Sequence, residues 1–415
     1  MSQARTVAAQ PWYSDLSDAC WRTLTLAGLG WTFDVFDSFL LALTLPALVS
    51  VFALSKAEAG AIGSILAAGL VVGGIAFGWV ADRIGRVRAL VTAVVIYSCF
   101  SGATAIAPDA TWVGVLRFCA GLGMGGAWTS GAALVAETWP AAHRGKGGAL
   151  MQMGLPVGSM LAIGAAALVA HAMGGLNGGG WRVLYALGVL PAIILLLVAR
   201  RTPESPLWQP RARRTGADLR SVFAAGQRRG MLLALGFVFC CQYIYWGVFT
   251  WTPTFLISVK HLNFLHSLSF VLTQQIGSLL GFIVFAALVD RLGRRPTFLI
   301  YLAIGAVSVA TFVLGSAAAV LYVAIFWTGF GITGLFAGMG PFTAEMVPGS
   351  RSRALSMGIA YNGGRLGGIL APYLIGALAT SASGFQVGMG TNLAAFALAA
   401  IVVFAAPETK GIHLR

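Results

Sequence analysis

About twelve runs of roughly twenty apolar residues occupy almost the whole chain, near residues 24–52, 58–80, 88–107, 110–135, 147–170, 181–200, 230–258, 267–289, 297–315, 318–344, 354–379 and 385–406. Wound as a helix, a run of that length crosses the hydrocarbon core of a bilayer, where only helices and closed barrels satisfy their own backbone groups. Little is left over for anything but short loops. A composition of 58% hydrophobic and 10% charged residues excludes a water-soluble fold of this size and predicts an all-α polytopic membrane protein with twelve transmembrane helices.

The net charge of +14 raises nucleic acid or anionic lipid as partners, and its placement decides against nucleic acid. Arg83, Arg86 and Arg88 follow span 2, Arg144 and Lys146 follow span 4, and eight arginines from Arg200 to Arg229 separate spans 6 and 7. Arg291, Arg294 and Arg295 follow span 8, and Arg351 and Arg353 follow span 10. The odd-numbered loops hold only Lys56, Arg182 and Lys260. By the positive-inside rule both termini face the cytoplasm, across a bacterial-type inner (plasma) membrane. Residues 1–22 are polar and lack a cleavable leader pattern, so span 1 is expected to act as its own insertion signal. The five cysteines (Cys20, Cys99, Cys119, Cys240, Cys241) offer neither a disulfide framework nor a metal spacing.

An internal repeat sets the organisation. "DRIGR" (Asp82 to Arg86) recurs as "DRLGR" (Asp290 to Arg294), and "AETWP" ending at Pro140 recurs as "AEMVP" ending at Pro348, both shifted by 208 residues. Two six-helix units therefore follow one another in the same orientation, the parallel-repeat plan of a large class of secondary transporters. The expected divisions are a cytoplasmic segment 1–22, a bundle 23–200, a cytoplasmic linker 201–229, a second bundle 230–406 and a tail 407–415.

These residues carry a family resemblance. "GWVADRIGRVR" (Gly78 to Arg88) resembles the signature between helices 2 and 3 of the major facilitator superfamily, and "RFCAGLGMGG" (Arg117 to Gly126) its helix-4 signature. "PESP" and "PETKG" (Pro407 to Gly411) look like the half-ending motifs of its sugar and metabolite porters. More narrowly, the stretch from Pro11 to Leu48 and "YNGGRLGGILAPYLIGAL" (Tyr361 to Leu378) look like the sialate/monocarboxylate proton symporters. The resemblance implies two six-helix bundles, alternating access and proton-coupled symport.

Four charges stand most clearly inside spans: Asp34 and Asp37 in span 1, Arg117 in span 4 and Arg365 in span 11. An unpaired charge at mid-bilayer costs several kcal/mol, so these are expected to face a cavity and pair with one another. Positions 34 and 37 lie about 60° apart on a helix and share a face with Gly30 and Leu41, which points both carboxylates into one cavity. Burial and a neighbouring guanidinium act in opposite directions on such a carboxyl, so changing water access can load and release a proton. Asp34 or Asp37 is thus a candidate proton carrier tuned by Arg117; the competing reading is a salt bridge that clamps spans 1 and 4. Arg365, flanked by Gly363, Gly364, Gly367 and Gly368, offers a planar fork suited to a substrate carboxylate; a permanent pairing with an acid of span 1 is the other reading.

Polar and aromatic residues cluster where a central cavity is expected: Trp128 and Thr129 in span 4, Gln242, Tyr243, Tyr245, Trp246 and Trp251 in span 7, Gln274 and Gln275 in span 8, and Tyr361 and Asn362 in span 11. Aromatic walls and amide groups suit a small organic anion better than a bare ion. Asp82, Arg83 and Arg86, with Asp290, Arg291 and Arg294 in the repeat, are expected to form charge pairs between helix ends that hold the outward-open state. Glu137 with Arg144, and Glu345 with Arg351 or Arg353, are candidate partners. Positive-inside orientation alone would also place these arginines there. Gly78 against Ala286 in the second copy predicts looser packing of the second gate. His143, His171, His261, His266 and His413 all fall near loops, and no phosphate loop, nucleophile elbow or metal spacing is present.

The expected function is proton-coupled uptake of a small organic anion such as a monocarboxylate, sugar acid or aromatic acid, by a monomer without a cofactor. A proton-driven exporter of a drug or metabolite would use the same acids, and a transporter-derived sensor is a third reading. An intramembrane enzyme is disfavoured.

Overall fold

The computed structural model describes residues 16–140, 143–206, 208, 227–346 and 353–408, without the side chains of residues 144, 145, 290, 341, 344, 345 and 353–358. Most of the linker, the tail beyond Glu408, Arg351, and the side chains of Arg144, Asp290, Glu345 and Arg353 therefore lie outside the described residues. Among the described residues every regular element is a helix. The first half comprises α1 (Asp18–Val51), α2 (Lys56–Ile84), α3 (Arg86–Thr104), α4 (Ala110–Thr138), α5 (Arg144–Gln152), α6 (Gly154–Met173), α7 (Gly180–Leu187) and α8 (Leu190–Ala199). The second comprises α9 (Arg228–Ser258), α10 (Phe264–Leu292), α11 (Arg294–Leu314), α12 (Ala318–Met346), α13 (Arg353–Gly364), α14 (Leu366–Leu378) and α15 (Ala382–Ala405).

Three of the twelve apolar runs are broken into two helices each. α5 meets α6 just before Gly154 and Pro156, α7 meets α8 just before Pro191, and α13 meets α14 at Arg365, inside a string of glycines. Glycine weakens a helix and proline removes an amide donor, which explains all three positions. The ladder still runs through the last break, where Arg365 N–H donates to Tyr361 O at 3.2 Å and Ile369 N–H donates to Arg365 O at 3.1 Å. Eleven helical stretches among the described residues are each long and apolar enough to cross a membrane, with α5–α6 and α7–α8 counting as one stretch each. α13 and α14 together supply the twelfth run. The chain is a multi-pass membrane protein. α1 begins at Asp18, inside the segment expected to end at residue 22, because Ser17 is extended at the cap and Asp18 places an acid in the first turn, where the helix dipole favours it.

In the first half α4 packs against α2 and α3, and α1 against α6; in the second α12 packs against α10 and α11, and α9 against α15. Large apolar side chains such as Ile75, Leu168, Val307 and Phe404 point outward, while polar side chains such as Asp37, Arg117, Gln242, Gln274 and Asn392 are buried among the helices, as a lipid surround demands. The glycines of "GLGMGG" let backbones approach: a Cβ on Gly123 would sit 2.6 Å from Tyr97 N of α3.

The two halves meet mainly at the end opposite the arginine clusters. There α2 and α14 run face to face: a Cβ on Gly60 would strike Pro372 O, and one on Gly376 would strike Lys56 O. Ser64 Oγ donates to Ile369 O at 2.5 Å. Phe39 of α1 meets Phe249 of α9 edge-on at 6.0 Å, and Ser159 Oγ of α6 donates to Gln275 Oε1 of α10 at 2.9 Å. Together these contacts close the interface towards the end that carries Lys56.

Candidate functional site

Between the halves lies a partly enclosed cavity lined by residues of both. Asp34, Trp31, Ser38 and Phe39 come from α1, Gln152 from α5, Gln242, Tyr245, Trp246 and Phe249 from α9, Phe336 from α12, and Tyr361 and Arg365 from the α13–α14 segment. The walls are aromatic: Tyr245 stacks on Phe249 at 4.5 Å and meets Phe336 edge-on at 5.2 Å. Polar groups are few, which is how a site for a small organic molecule is usually built.

The two acids of α1 have separate environments, contrary to the expectation that both point into one cavity. Asp34 lines the cavity, and its Oδ2 has no hydrogen-bond partner among the described residues. Asp37 is turned away and fully buried. Its Oδ2 accepts from Arg117 Nη1 at 2.9 Å, and its Oδ1 accepts from the hydroxyl of Ser101 on α3. Arg117 is likewise without exposure. It also donates to Thr104 Oγ1 at 2.9 Å and lies 4.6 Å from the Tyr185 ring. The physical reason for the split is that the angle between positions 34 and 37 spans the seam where α3 and α4 pack on α1. One position falls on the cavity side of the seam, the other inside it.

Arg365 lines the cavity opposite Asp34 and is within electrostatic reach of it. Among the described residues it makes no ion pair; Nη1 donates to Leu70 O of α2 at 2.9 Å, and the guanidinium stands 4.9 Å from the Tyr361 ring. That bond uses one of the five donors of the guanidinium. Tyr361 stacks on Trp128 of α4 at 4.6 Å with the rings 10° from parallel. Trp128 in turn meets Trp31 edge-on at 6.4 Å and donates from Nε1 to Gln152 Oε1 at 3.3 Å. This stack joins the halves on the side of the cavity towards the arginine-rich end.

The other expected lining residues are placed elsewhere. Tyr243 is buried with its hydroxyl 2.7 Å from Thr391 Oγ1. Gln274 and Gln275 are buried on α10 outside the cavity, Gln275 at the contact with Ser159. Trp251 donates to Pro372 O at 3.0 Å in the closed interface. Thr129 bonds its own helix at Gly125 O and Gly126 O. Asn362 lies beside Gly74 of α2 rather than in the lining. Trp31, Ser38 and Gln152 are lining residues that sequence reasoning passed over. Gln152, a lone amide in an apolar run, is the one with a visible signal.

At the arginine-rich end the ion pairs of Arg86 among the described residues lie within one half. Arg86 reaches Asp82 at 2.7 Å and Glu137 at 3.1 Å. Its backbone N–H and that of Val87 donate to Glu204 Oε1 at 2.8 and 3.1 Å, and the Ser205 hydroxyl donates to Glu137. Arg83 lies 3.5 Å over the Trp79 ring instead of joining an acid. In the second half the amides of Arg294 and Arg295 donate to Glu408 at 3.0 Å each. Arg291 is exposed. Gly85 and Gly293 hold φ of 103° and 101° at the equivalent turns, where a side chain would also meet Glu204 or Glu408. Glu204 and Glu408, each in a half-ending motif, were not singled out from sequence; their matching place after each unit was the signal. Nothing lies within 4 Å of a Cβ on Gly78, so the expected contrast in packing with Ala286 has no basis there.

The sequence profile of the Major Facilitator Superfamily matches residues 27–274 and 266–413, nearly the whole chain. The chain belongs to the Major Facilitator Superfamily. The probable 4-methylmuconolactone transporter of Cupriavidus pinatubonensis is 34% identical to it over 97% of this chain and 94% of its own length. The niacin transporter NiaP of Acinetobacter baylyi is 31% identical, covering 94% of each. Among solved structures, the partially occluded, inward-open xylose transporter XylE from E. coli has a TM-score of 0.75 at 21% identity, over 96% of this chain and 100% of that one. As a Major Facilitator Superfamily member the protein is a membrane transporter, not an enzyme.

Proposed function

We propose that the protein takes up a small, flat organic anion together with a proton by alternating access. The observation that carries this reading is that Asp34 and Arg365 line one cavity from opposite halves, while Asp37 and Arg117 neutralise one another behind it. Asp34 is the acid that lines the cavity, so it is the proton carrier. Asp37 and Arg117 supply a fixed, balanced pair that sets its surroundings. Arg365 holds the substrate carboxylate through a charge-assisted fork, and Tyr361, Tyr245, Trp246 and Phe249 supply flat apolar walls for the rest of the molecule. Niacin and 4-methylmuconolactone, the compounds for which the two relatives are named, are small ring compounds that such walls would accept.

The charge balance favours coupling. A monocarboxylate entering with one proton moves no net charge, whereas the anion alone would work against an inside-negative potential. Positive-inside placement puts the arginine-rich end in the cytoplasm of a bacterial-type inner membrane; the closed α2–α14 face then lies outside, and the Trp128–Tyr361 stack is the last barrier on the way in. The two bundles, 23–200 and 230–406, rock about the cavity. The Arg86 and Glu408 networks brace each bundle as a unit, and the linker 201–229 joins them in a working monomer.

The test is uptake by purified protein in vesicles with an alkaline lumen, using labelled nicotinate, benzoate, lactate, a sialate, a sugar acid and glucose. Accumulation of at least one acid above its equilibrium level, abolished by a protonophore, supports the reading. Preference for glucose, or accumulation indifferent to the proton gradient, contradicts it.

A further inference from the structure

Asp34 Oδ2 on α1 and the hydroxyls of Tyr97 and Ser98 on α3 are buried without a hydrogen-bond partner among the described residues. The register of the α1–α3 seam brings Asp34 and Tyr97 together. Gly30 of α1 faces Leu90 of α3, and about two turns further along α1 and three along α3 Asp37 takes the hydroxyl of Ser101. Asp34 lies between positions 30 and 37 of α1, and Tyr97 lies between positions 90 and 101 of α3, on the same face of that helix. Tyr97 is within electrostatic reach of both Asp34 and Asp37, and the close approach of Gly123 pins its backbone. A carboxyl oxygen on the cavity side of the seam and a buried hydroxyl at the same level, neither with a protein partner among the described residues, can bond one another.

The geometry points to Tyr97 as a positioning residue for the proton step: its hydroxyl donates to Asp34 when that carboxyl is ionised and lets go when it is protonated. This rests on Asp34 being the proton carrier. The other groups facing Asp34 are Arg365 from the α13–α14 junction, Tyr245 from α9 and Asp37 on its own helix, with Arg117 of α4 and Tyr185 of α7 behind Asp37. Arg365 and Asp37 act on Asp34 in opposite senses, and Asp37 is itself matched by Arg117. Tyr97 is a neutral donor on the seam side. A donor to the ionised form favours that form, so removing the donor strengthens proton retention.

Tyr97→Phe deletes one oxygen and keeps the ring. It is measured against the unsubstituted protein with the first acid that acidifies the lumen of protein-containing vesicles, in two assays: proton-driven uptake as a function of pH, and substrate counterflow, which needs no net proton movement. The expected result is counterflow within about two-fold and an alkaline limb of the uptake profile moved up by about one to two pH units, the equivalent of one hydrogen bond to a charged group. In an Asp34→Asn background, where proton-driven uptake is already lost, the same substitution leaves counterflow within about two-fold. An unmoved pH profile overturns the inference, and so does loss of counterflow, which would make Tyr97 a packing residue. If no acid acidifies the lumen with the unsubstituted protein while counterflow is present, the coupling reading fails and this inference falls with it.

Discussion

Asn substitution at the two acids of α1 is expected to have opposite profiles. At position 37 the carboxylate is fully buried, with Arg117 at 2.9 Å and Ser101 as its partners. At an effective dielectric constant of about 20, unit charges at that separation attract by about 6 kcal/mol. Asp37→Asn removes that attraction and strands a guanidinium that has no exposure, so the folded state loses about 3–5 kcal/mol. Replacing both partners, Asp37→Leu with Arg117→Met, removes the stranded charge and recovers most of that loss. Asp34 has no ion pair and an unpartnered oxygen, so Asp34→Asn changes stability by no more than about 1 kcal/mol while abolishing proton-driven uptake. Denaturant or thermal unfolding of purified protein in detergent, run as a double-mutant cycle over Asp37 and Arg117, reads the first set of values. A cycle coupling energy below about 1 kcal/mol, or equal stability losses at positions 34 and 37, would refute the division of labour between the two acids.

Three further outcomes follow from the same geometry. Arg365→Lys keeps the charge but loses the planar fork, and the half-saturating substrate concentration should rise about tenfold or more in uptake assays. Gly60→Leu places a side chain where Pro372 O stands, so the outer interface cannot close; a cysteine at Ser64 should then react with an impermeant maleimide at least about ten times faster from that side. Trp128→Ala removes the stack on Tyr361, worth about 0.5–1.5 kcal/mol, and a cysteine at Ser38 should become about 3–10 times more reactive from the arginine-rich side.

The helices were legible in the sequence because each had to be long, apolar and internally bonded to exist in lipid. The repeat was legible too, since "DRIGR" and "DRLGR" mark the same turn in each unit. The membrane constraint says less about rotation of one helix against its neighbours. Asp34 and Asp37 are one turn apart in any helix, and only the packing of α3 and α4 on α1 decides that one faces the cavity and the other the seam. Gln274 and Gln275 show the same limit: an amide in a span must be buried in protein, but sequence does not say whether against a ligand or a neighbouring helix. Trp31 was hidden for the opposite reason, because an aromatic in an apolar run carries no signal until its partner Trp128 is in place. Glu204 and Glu408 were within reach of a sequence argument, standing in equivalent motifs after each unit. Their action as caps on α3 and α11 depends on the chain folding back from α8 and α15, which no local pattern announces.

The central claim is that an organic anion and a proton cross together through Asp34. Its most direct test is lumenal pH, followed with a trapped dye in vesicles containing the purified protein as the acids of the panel are added in turn. The account predicts acidification with at least one acid, absent in protein-free vesicles and in the Asp34→Asn variant, and retained counterflow of that acid in the variant. Acidification that persists undiminished in Asp34→Asn would contradict it.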